Sequence, residues 1–134
     1  MKDLQQLRTG KKPKLSEAGI TKKFNEAFIA FNKAYIQMPR DYRATYGVAL
    51  SNELHSFFHF FNKAFSINDN NDEKLKLIME ARNILYLFSN EIYNYSEFDI
   101  GVINTKLGTN VFVKTGEILI QVDNWIESIK KQKQ

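Results

Sequence analysis

Two histidines spaced four residues apart are the first side chains in this sequence that could support chemistry. On a helix, His55 and His59 would share one face, at the spacing of two metal ligands. No glutamate follows the first histidine as in the HExxH motif of zinc proteases, and no third ligand is evident. We therefore interpret both as amphipathic side chains on a partly buried helix, and keep a metal-binding bundle as a distant alternative.

The other patterns that carry enzyme chemistry are incomplete. Asp69, Asn71 and Glu73 alternate as calcium-loop oxygens do, but Lys74 stands where that loop requires glycine, and no later glutamate completes it. The segment RTGKK lacks the second glycine and the serine or threonine of a phosphate-binding loop. Neither a nucleophile elbow nor a Glu-x-x-His pair is present. The sequence predicts a protein that is not an enzyme and binds no metal or cofactor.

Arginines and tyrosines alternate directly after the first long apolar segment. Arg40 and Arg43 flank Tyr42, and Tyr46 follows one helical turn later. Arginine beside aromatic rings is typical of surfaces that contact phosphates and stack on bases. The same side chains could equally cap a helix bundle and pair with Asp41, so both interpretations stay open.

Positive charge is concentrated at the two ends of the chain. The formal net charge is +4, and residues 1–23 carry seven basic side chains against two acidic ones. Residues 24–129 are slightly acidic, with nine basic and 13 acidic side chains. Contacts with a polyanion would therefore involve the termini, although lysine-rich tails can also serve solubility alone. The candidate nucleic-acid contacts in the tails are Lys11, Lys12, Lys14, Lys22, Lys23, Lys130 and Lys131.

Length and composition predict a single globular domain. The chain has 134 residues, of which 43% are hydrophobic and 25% charged. The absence of cysteine excludes disulfides and thiol-based metal sites. The polar N-terminus has no signal-peptide core, and no apolar run approaches the roughly 18 residues of a membrane span. We therefore expect a cytoplasmic protein without membrane contact.

Apolar residues recur at helical spacing in four segments. Pro39 ends the first predicted helix, and Gly47 inside the second indicates a close approach to another helix. These features predict an all-α fold, an antiparallel up-down four-helix bundle over residues 21–134, after a disordered or extended basic arm over residues 1–20. The predicted helices run from Thr21 to Met38, Asp41 to Phe65, Asn71 or Asp72 to Tyr95, and Asn104 or Thr105 to Lys130.

The second predicted helix is unusually rich in phenylalanine. Its apolar face is wider than a small monomer ordinarily needs. Either the helix lies at the centre of the domain, or one side of it packs on another subunit. We predict a homo-oligomer whose interface includes Phe57, Phe58, Phe60 and Phe61.

Several segments together resemble the accessory variability determinant proteins. Those proteins are partners of the reverse transcriptase in diversity-generating retroelements and relatives of the ribosomal-RNA intervening-sequence four-helix proteins. The resemblance covers roughly residues 24–129 and is carried by MPRDYR, by NKAF, by Leu75 and Ala81, and by EILIQVDNWIES. Asp123-Asn124 replaces the Gly-Gly that precedes the tryptophan in many relatives. The Asn-Ile-Ala-Glu-Gly stretch of the intervening-sequence branch is missing, which places the chain nearer the retroelement branch.

The resemblance implies a four-helix bundle that assembles as a pentameric ring and binds reverse transcriptase and RNA or DNA through basic surfaces. By position, Arg40 and Arg43 match the basic turn of the family motif, and Arg82 falls on its basic third helix. We therefore expect a non-enzymatic accessory protein of a diversity-generating retroelement. The alternative is a structural or protein-interaction bundle of unknown partner, without nucleic-acid function.

Overall fold

Four helices make up the secondary structure of the computed structural model, which describes residues 15–97 and 101–132, and no strand occurs in these two ranges. The prediction of an all-α fold with four helices is confirmed. In chain order the helices are α1 (Leu15–Gln37), α2 (Arg40–Tyr42, Arg43–Gly47 and Val48–Phe65), α3 (Asn71–Glu97) and α4 (Thr105–Gln132). The helix α2 is continuous through its three segments, the middle one of which has π-helical geometry.

The first helix begins at Leu15, earlier than the predicted start at Thr21. Ile20 lies about one turn before Phe24, and both side chains are buried in the core. This burial extends the apolar stripe of α1 into a segment that was predicted to belong to the arm. Residues 1–14 of the predicted arm lie outside the described residues. Pro39 separates α1 from α2, as predicted.

Asparagine side chains cap the starts of α3 and α4. The backbone N–H of Leu107 donates to Oδ1 of Asn104 at 3.1 Å, which confirms the predicted start of the fourth helix. At α3, the N–H of Glu73 donates to Oδ1 of Asn70 at 3.0 Å. The third helix begins at Asn71, one of the two predicted starts, and the residue before it supplies the cap.

The apolar stripes of all four helices meet in one core. Leu87, an apolar residue at a position that could have widened the α3 stripe, is 59% exposed. Leu85 faces the core. Leu87 lies two residues further along the helix, so its side chain is rotated by about 200° and points away from the core. The largest fully buried side chains are Phe57, Phe61, Phe88, Ile20, Leu50, Ile78, Leu85, Ile92, Ile118, Val102, Val111 and Val122.

Phenylalanine rings fill the space between α1 and α2. Within the described ranges, no Cα atom of α1 lies within 8 Å of one in Val48–Phe65, although α1 and α4, α2 and α3, and α3 and α4 all approach that closely. The ring of Phe24 packs edge-on against the rings of Phe57, Phe58 and Phe61 at centroid distances of 5.0, 5.5 and 4.8 Å. The wide aromatic face of α2 is therefore largely used inside the monomer.

This packing corrects the predicted oligomer interface. Phe57 and Phe61 are 1% and 0% exposed, so they have no surface with which to contact another subunit. Phe58 and Phe60 are half-buried and pack against the same core. The phenylalanine surplus reflects the wide spacing of α1 and α2, and it does not by itself require a second subunit.

Two glycines allow close packing at one end of the molecule, which we call the tyrosine end. A Cβ atom on Gly47 of α2 would lie 2.9 Å from Cε2 of Tyr35 in α1. A Cβ atom on Gly108 of α4 would lie 2.7 Å from Cβ of Ser96 in α3. The close approach predicted from Gly47 is therefore confirmed.

The opposite end is organised around Trp125, and we call it the tryptophan end. The indole of this α4 residue contacts the rings of Phe61 and Phe65 in α2, at centroid distances of 5.2 and 4.8 Å. The Nζ atom of Lys74, near the start of α3, lies 5.2 Å from the indole centroid. Trp125 thus faces the other helices, as its place in the α4 stripe predicts.

Candidate nucleic-acid interface

The predicted Arg–Tyr segment lies in the first turns of α2, where the helix changes geometry. The N–H of Val48 donates to the carbonyl of Arg43, five residues earlier, as in a π-helix. The hydroxyl of Thr45 donates to the carbonyl of Asp41 at 3.1 Å, a local bond that competes with the α-helical pattern. Because π-helical turns occur frequently at functional sites, this segment is a candidate functional site.

Three tyrosines meet there. The rings of Tyr42 and Tyr46 have centroids 5.8 Å apart, and the ring of Tyr46 lies 5.2 Å from that of Tyr95 in α3. Tyr42 and Tyr46 are 37% and 38% exposed, whereas Tyr95 is half-buried. We call these three residues the tyrosine cluster. Sequence analysis found the first two members and missed the contribution of Tyr95, which it assigned only to the α3 stripe.

Basic residues lie close to the cluster along the chain. Arg40 is exposed and has no carboxylate within 4.0 Å in the described part of the chain. Arg43 is half-buried, and its Nη1 donates to the carbonyl of Ile36 at 3.5 Å. Ile36 also lines a shallow cavity between α1 and α4 together with Lys33 and Leu107. Lys33 is a basic residue of this end that the sequence patterns did not indicate.

A pair of carboxyl groups lies beside the tyrosine cluster, between α2 and α3. Burial, a hydrogen bond with Glu91 and the charge of Glu91 raise the pKa of Glu53 to about 7. Oε2 of Glu53 is buried and has no hydrogen-bond partner among the described residues. Burial, followed by the charges of Glu91, Tyr46 and Glu53, also raises the pKa of Tyr95. Near pH 7 the Glu53 carboxyl is therefore about half protonated, because its pKa is close to that pH, and this lowers the negative charge next to Tyr95. No sequence motif joins these two glutamates.

Several basic residues form ion pairs with carboxylates of neighbouring helices. Nε of Arg82 lies 2.6 Å from Oδ1 of Asp123, and its guanidinium lies over the ring of Tyr86. Nζ of Lys23 lies 3.1 Å from Oε2 of Glu117. Arg82 and Lys23, both predicted to bind nucleic acid, are therefore engaged in ion pairs across the helices.

Lys114 follows the same pattern. Its Nζ lies 3.5 Å from Oε2 of Glu26, so this ion pair joins α4 to α1.

Three further predicted contacts are exposed lysines towards the tryptophan end. Lys22 and Lys131 are exposed, and no carboxylate lies within 4.0 Å of either in the ranges that the structure describes. Lys130 lies 3.9 Å from Glu127 in an exposed pair. Lys11, Lys12 and Lys14 fall outside the described residues. A helix of 23 residues, such as α1, spans about 35 Å. The described site residues are therefore spread along the helices and do not form one continuous patch.

The two histidines are not part of the tyrosine cluster or of the ion pairs described above. His55 and His59 are exposed on α2, and their rings contact Phe28 and Phe60. The described residues contain no group of three or more potential metal ligands.

No helix within residues 15–97 and 101–132 combines the length and the apolar character needed to cross a membrane. Comparisons with models of protein families, with curated proteins and with solved structures found no match to this chain.

Proposed function

We propose that this chain is a non-enzymatic accessory protein that binds nucleic acid together with a reverse transcriptase, in a diversity-generating retroelement. In this proposal the four helices form an antiparallel up-down bundle. Two contacts support that arrangement. Tyr46 near the start of α2 touches Tyr95 near the end of α3, and Lys74 near the start of α3 lies over Trp125 near the end of α4. The resemblance in the MPRDYR turn and the EILIQVDNWIES segment supports the family assignment.

One observation carries the nucleic-acid part of the proposal, namely that some cations of the described residues are paired with carboxylates and others are not. Arg82 and Lys114 pair with carboxylates of neighbouring helices. Arg40, Lys22 and Lys131 have no such partner within the described ranges. A slightly acidic body can therefore still present positive surfaces, and unpaired surface cations are what a phosphate backbone attracts.

A protein-interaction function is the second candidate, and exposed apolar side chains favour it. Tyr93 and Phe112 touch at 5.3 Å between centroids and are both exposed, and Val113 and Ile120 are exposed on α4. Such side chains are typical of surfaces that contact another protein. In the accessory-protein proposal this surface joins copies of the chain in a homo-oligomer, with a pentamer favoured by the resemblance alone.

The first experiment measures binding of full-length protein to labelled single- and double-stranded RNA and DNA by fluorescence anisotropy over a series of salt concentrations. We expect Arg40→Ala with Arg43→Ala to weaken binding at every salt concentration. Arg82→Gln, which removes a cation that is already paired, should change the affinity much less. All three arginines lie at the surface of the same bundle. Comparing the two variants therefore shows whether an arginine without a carboxylate partner contributes more to binding than one in an ion pair.

The lysines of the arm are tested in the same assay. Replacement of Lys11, Lys12 and Lys14 by glutamine should reduce the slope of log affinity against log salt. The reduction should be about 0.7–0.9 for each phosphate that the variant no longer neutralises, because fewer counterions are released. If the unmodified protein binds none of the four nucleic acids at low salt, the proposal fails and the protein-interaction function takes its place.

A further inference from the structure

The tyrosine cluster has features that the core of the bundle does not explain. Tyr42 and Tyr46 keep more than a third of their surface exposed, although Phe31 and Phe88 in the core are buried. Each of the three rings nevertheless lies within 6 Å of another. A group of touching aromatic rings at the surface offers flat apolar area together with hydroxyl groups, and such area favours flat, partly polar ligands.

The charges next to the cluster narrow the class of ligand. Arg43 lies three residues before Tyr46 on α2, and Arg40 lies three residues before Arg43, so these side chains follow one side of the helix. Arg40 has no carboxylate within 4.0 Å in the described part of the chain. At neutral pH the partial protonation of Glu53 reduces the opposing negative charge. A flat ring system that carries phosphate is therefore the best match, since the ring can stack on a tyrosine while arginine contacts the phosphate.

The ring spacing determines how such a ligand could bind. A base between two parallel rings needs about 6.8 Å, twice the ~3.4 Å stacking distance of nucleic acids. The rings of Tyr42 and Tyr46, and those of Tyr46 and Tyr95, have centroids only 5.8 and 5.2 Å apart and are inclined to each other at 58° and 61°, so neither pair can hold a base between its faces. Bases must therefore stack on the outward faces of Tyr42 and Tyr46. Only unpaired bases expose a face for this contact, because the bases of a duplex already stack on one another.

We propose that the tyrosine cluster is a stacking site that selects single-stranded over double-stranded nucleic acid at this end of the molecule. The inference rests on the proposed function and goes beyond it. The arginines supply attraction to any phosphate backbone, whereas the tyrosines distinguish unpaired bases from paired ones. The basic residues of the tryptophan end have no comparable group of exposed rings within the described residues, so they bind without this selectivity.

The test compares three ligands of equal length, namely a single strand, its duplex and an abasic strand that keeps the phosphates but has no bases. We expect the unmodified protein to bind the single strand most tightly. Tyr42→Ala with Tyr46→Ala should weaken binding of the single strand roughly tenfold or more, the usual effect of removing base–aromatic stacking. Binding of the duplex and of the abasic strand should change by less than about twofold, because neither ligand stacks on the rings.

Two control variants separate stacking from structural damage. Tyr42→Phe with Tyr46→Phe keeps the rings and should preserve the preference for the single strand. Tyr86→Ala removes an exposed tyrosine on α3 outside the cluster and should leave that preference unchanged. Thermal unfolding and light scattering establish that each variant keeps its fold and its assembly state.

The outcomes distinguish this inference from the proposed function. If Arg40→Ala with Arg43→Ala weakens binding while the alanine variants of the tyrosines do not, the stacking site is refuted and nucleic-acid binding stands. Equal affinity of the unmodified protein for the single strand, the duplex and the abasic strand refutes it in the same way. If no ligand binds at low salt, the proposed function fails, and the inference fails with it.

Discussion

Glu53 is the side chain whose ionisation is most clearly coupled to the fold. Its pKa rises from 4.5 to about 7 through burial, a hydrogen bond with Glu91 and the charge of that neighbour. Between these two values the folded protein holds a proton that the unfolded chain has released. The free energy of unfolding must therefore fall as the pH rises from about 4.5 to about 7.

Replacing Glu53 by glutamine should remove this pH dependence. Because the side chain is only partly buried, solvent screening limits the effect to on the order of 1 kcal/mol between about pH 5 and pH 8. Urea unfolding at the two pH values measures it, with Glu80→Gln, which alters an exposed carboxylate of α3, as the control. An equal decrease of stability with pH in the unmodified protein and in Glu53→Gln would contradict this assignment.

At the scale of the helices, α4 shows how tertiary packing can stabilise a helix whose sequence has low helix propensity. Its first half contains glycine and β-branched residues, both of which disfavour a helix. The helix nevertheless begins at Thr105, because Asn104 caps it and Gly108 allows close approach to Ser96. Gly116, in contrast, would have no atom within 4 Å of an added Cβ.

Alanine at these two glycines should therefore act in opposite directions. Gly108→Ala should destabilise the protein by about 1–3 kcal/mol, because the methyl group would push α3 and α4 apart. Gly116→Ala should stabilise it by about 0.5–1 kcal/mol through helix propensity alone. Urea unfolding of both variants tests the pair, and effects of the same sign would show that the packing at Gly108 is not decisive.

The helices were predictable because strong local signals mark them. The apolar period, Pro39 and the Asn104 cap are all readable along the chain. The tyrosine cluster was only partly predictable, since Tyr95 joins it through a contact between α2 and α3 that no local pattern encodes. Ion pairing of Arg82 with Asp123 likewise depends on which helix faces which. Sequence patterns identify side chains able to bind, and the packing decides which of them are free to do so.

At the scale of the whole molecule, exposed apolar side chains suggest how copies of the chain could meet. Of the four phenylalanines predicted at the interface, Phe57 and Phe61 are buried and offer no surface for it, whereas Phe58 and Phe60 are half-buried. Tyr93, Phe112, Val113 and Ile120 keep between 37% and 65% of their surface exposed. Burying them between subunits would remove apolar surface from water, which favours association.

We expect the protein to form a homo-oligomer at micromolar concentration through this surface. Light scattering of the unmodified protein should give a mass above that of one chain. Phe112→Lys with Ile120→Lys should shift it towards the monomer, because charge would be buried at the contact. Asn110→Lys, at an exposed polar position on the same helix, is the control. A monomer for the unmodified protein would contradict the prediction.

The surroundings of Trp125 have an optical consequence. It is the only tryptophan in the chain, and it lies against Phe61 and Phe65 beneath the ammonium group of Lys74. Selective excitation of the indole therefore reports on one end of the molecule alone, while the tyrosine cluster sits at the far end of the same helices. Binding of a ligand to the lysines near Trp125 should change the tryptophan fluorescence, whereas binding to the tyrosine cluster should not. An affinity measured on the whole protein would not separate these two events.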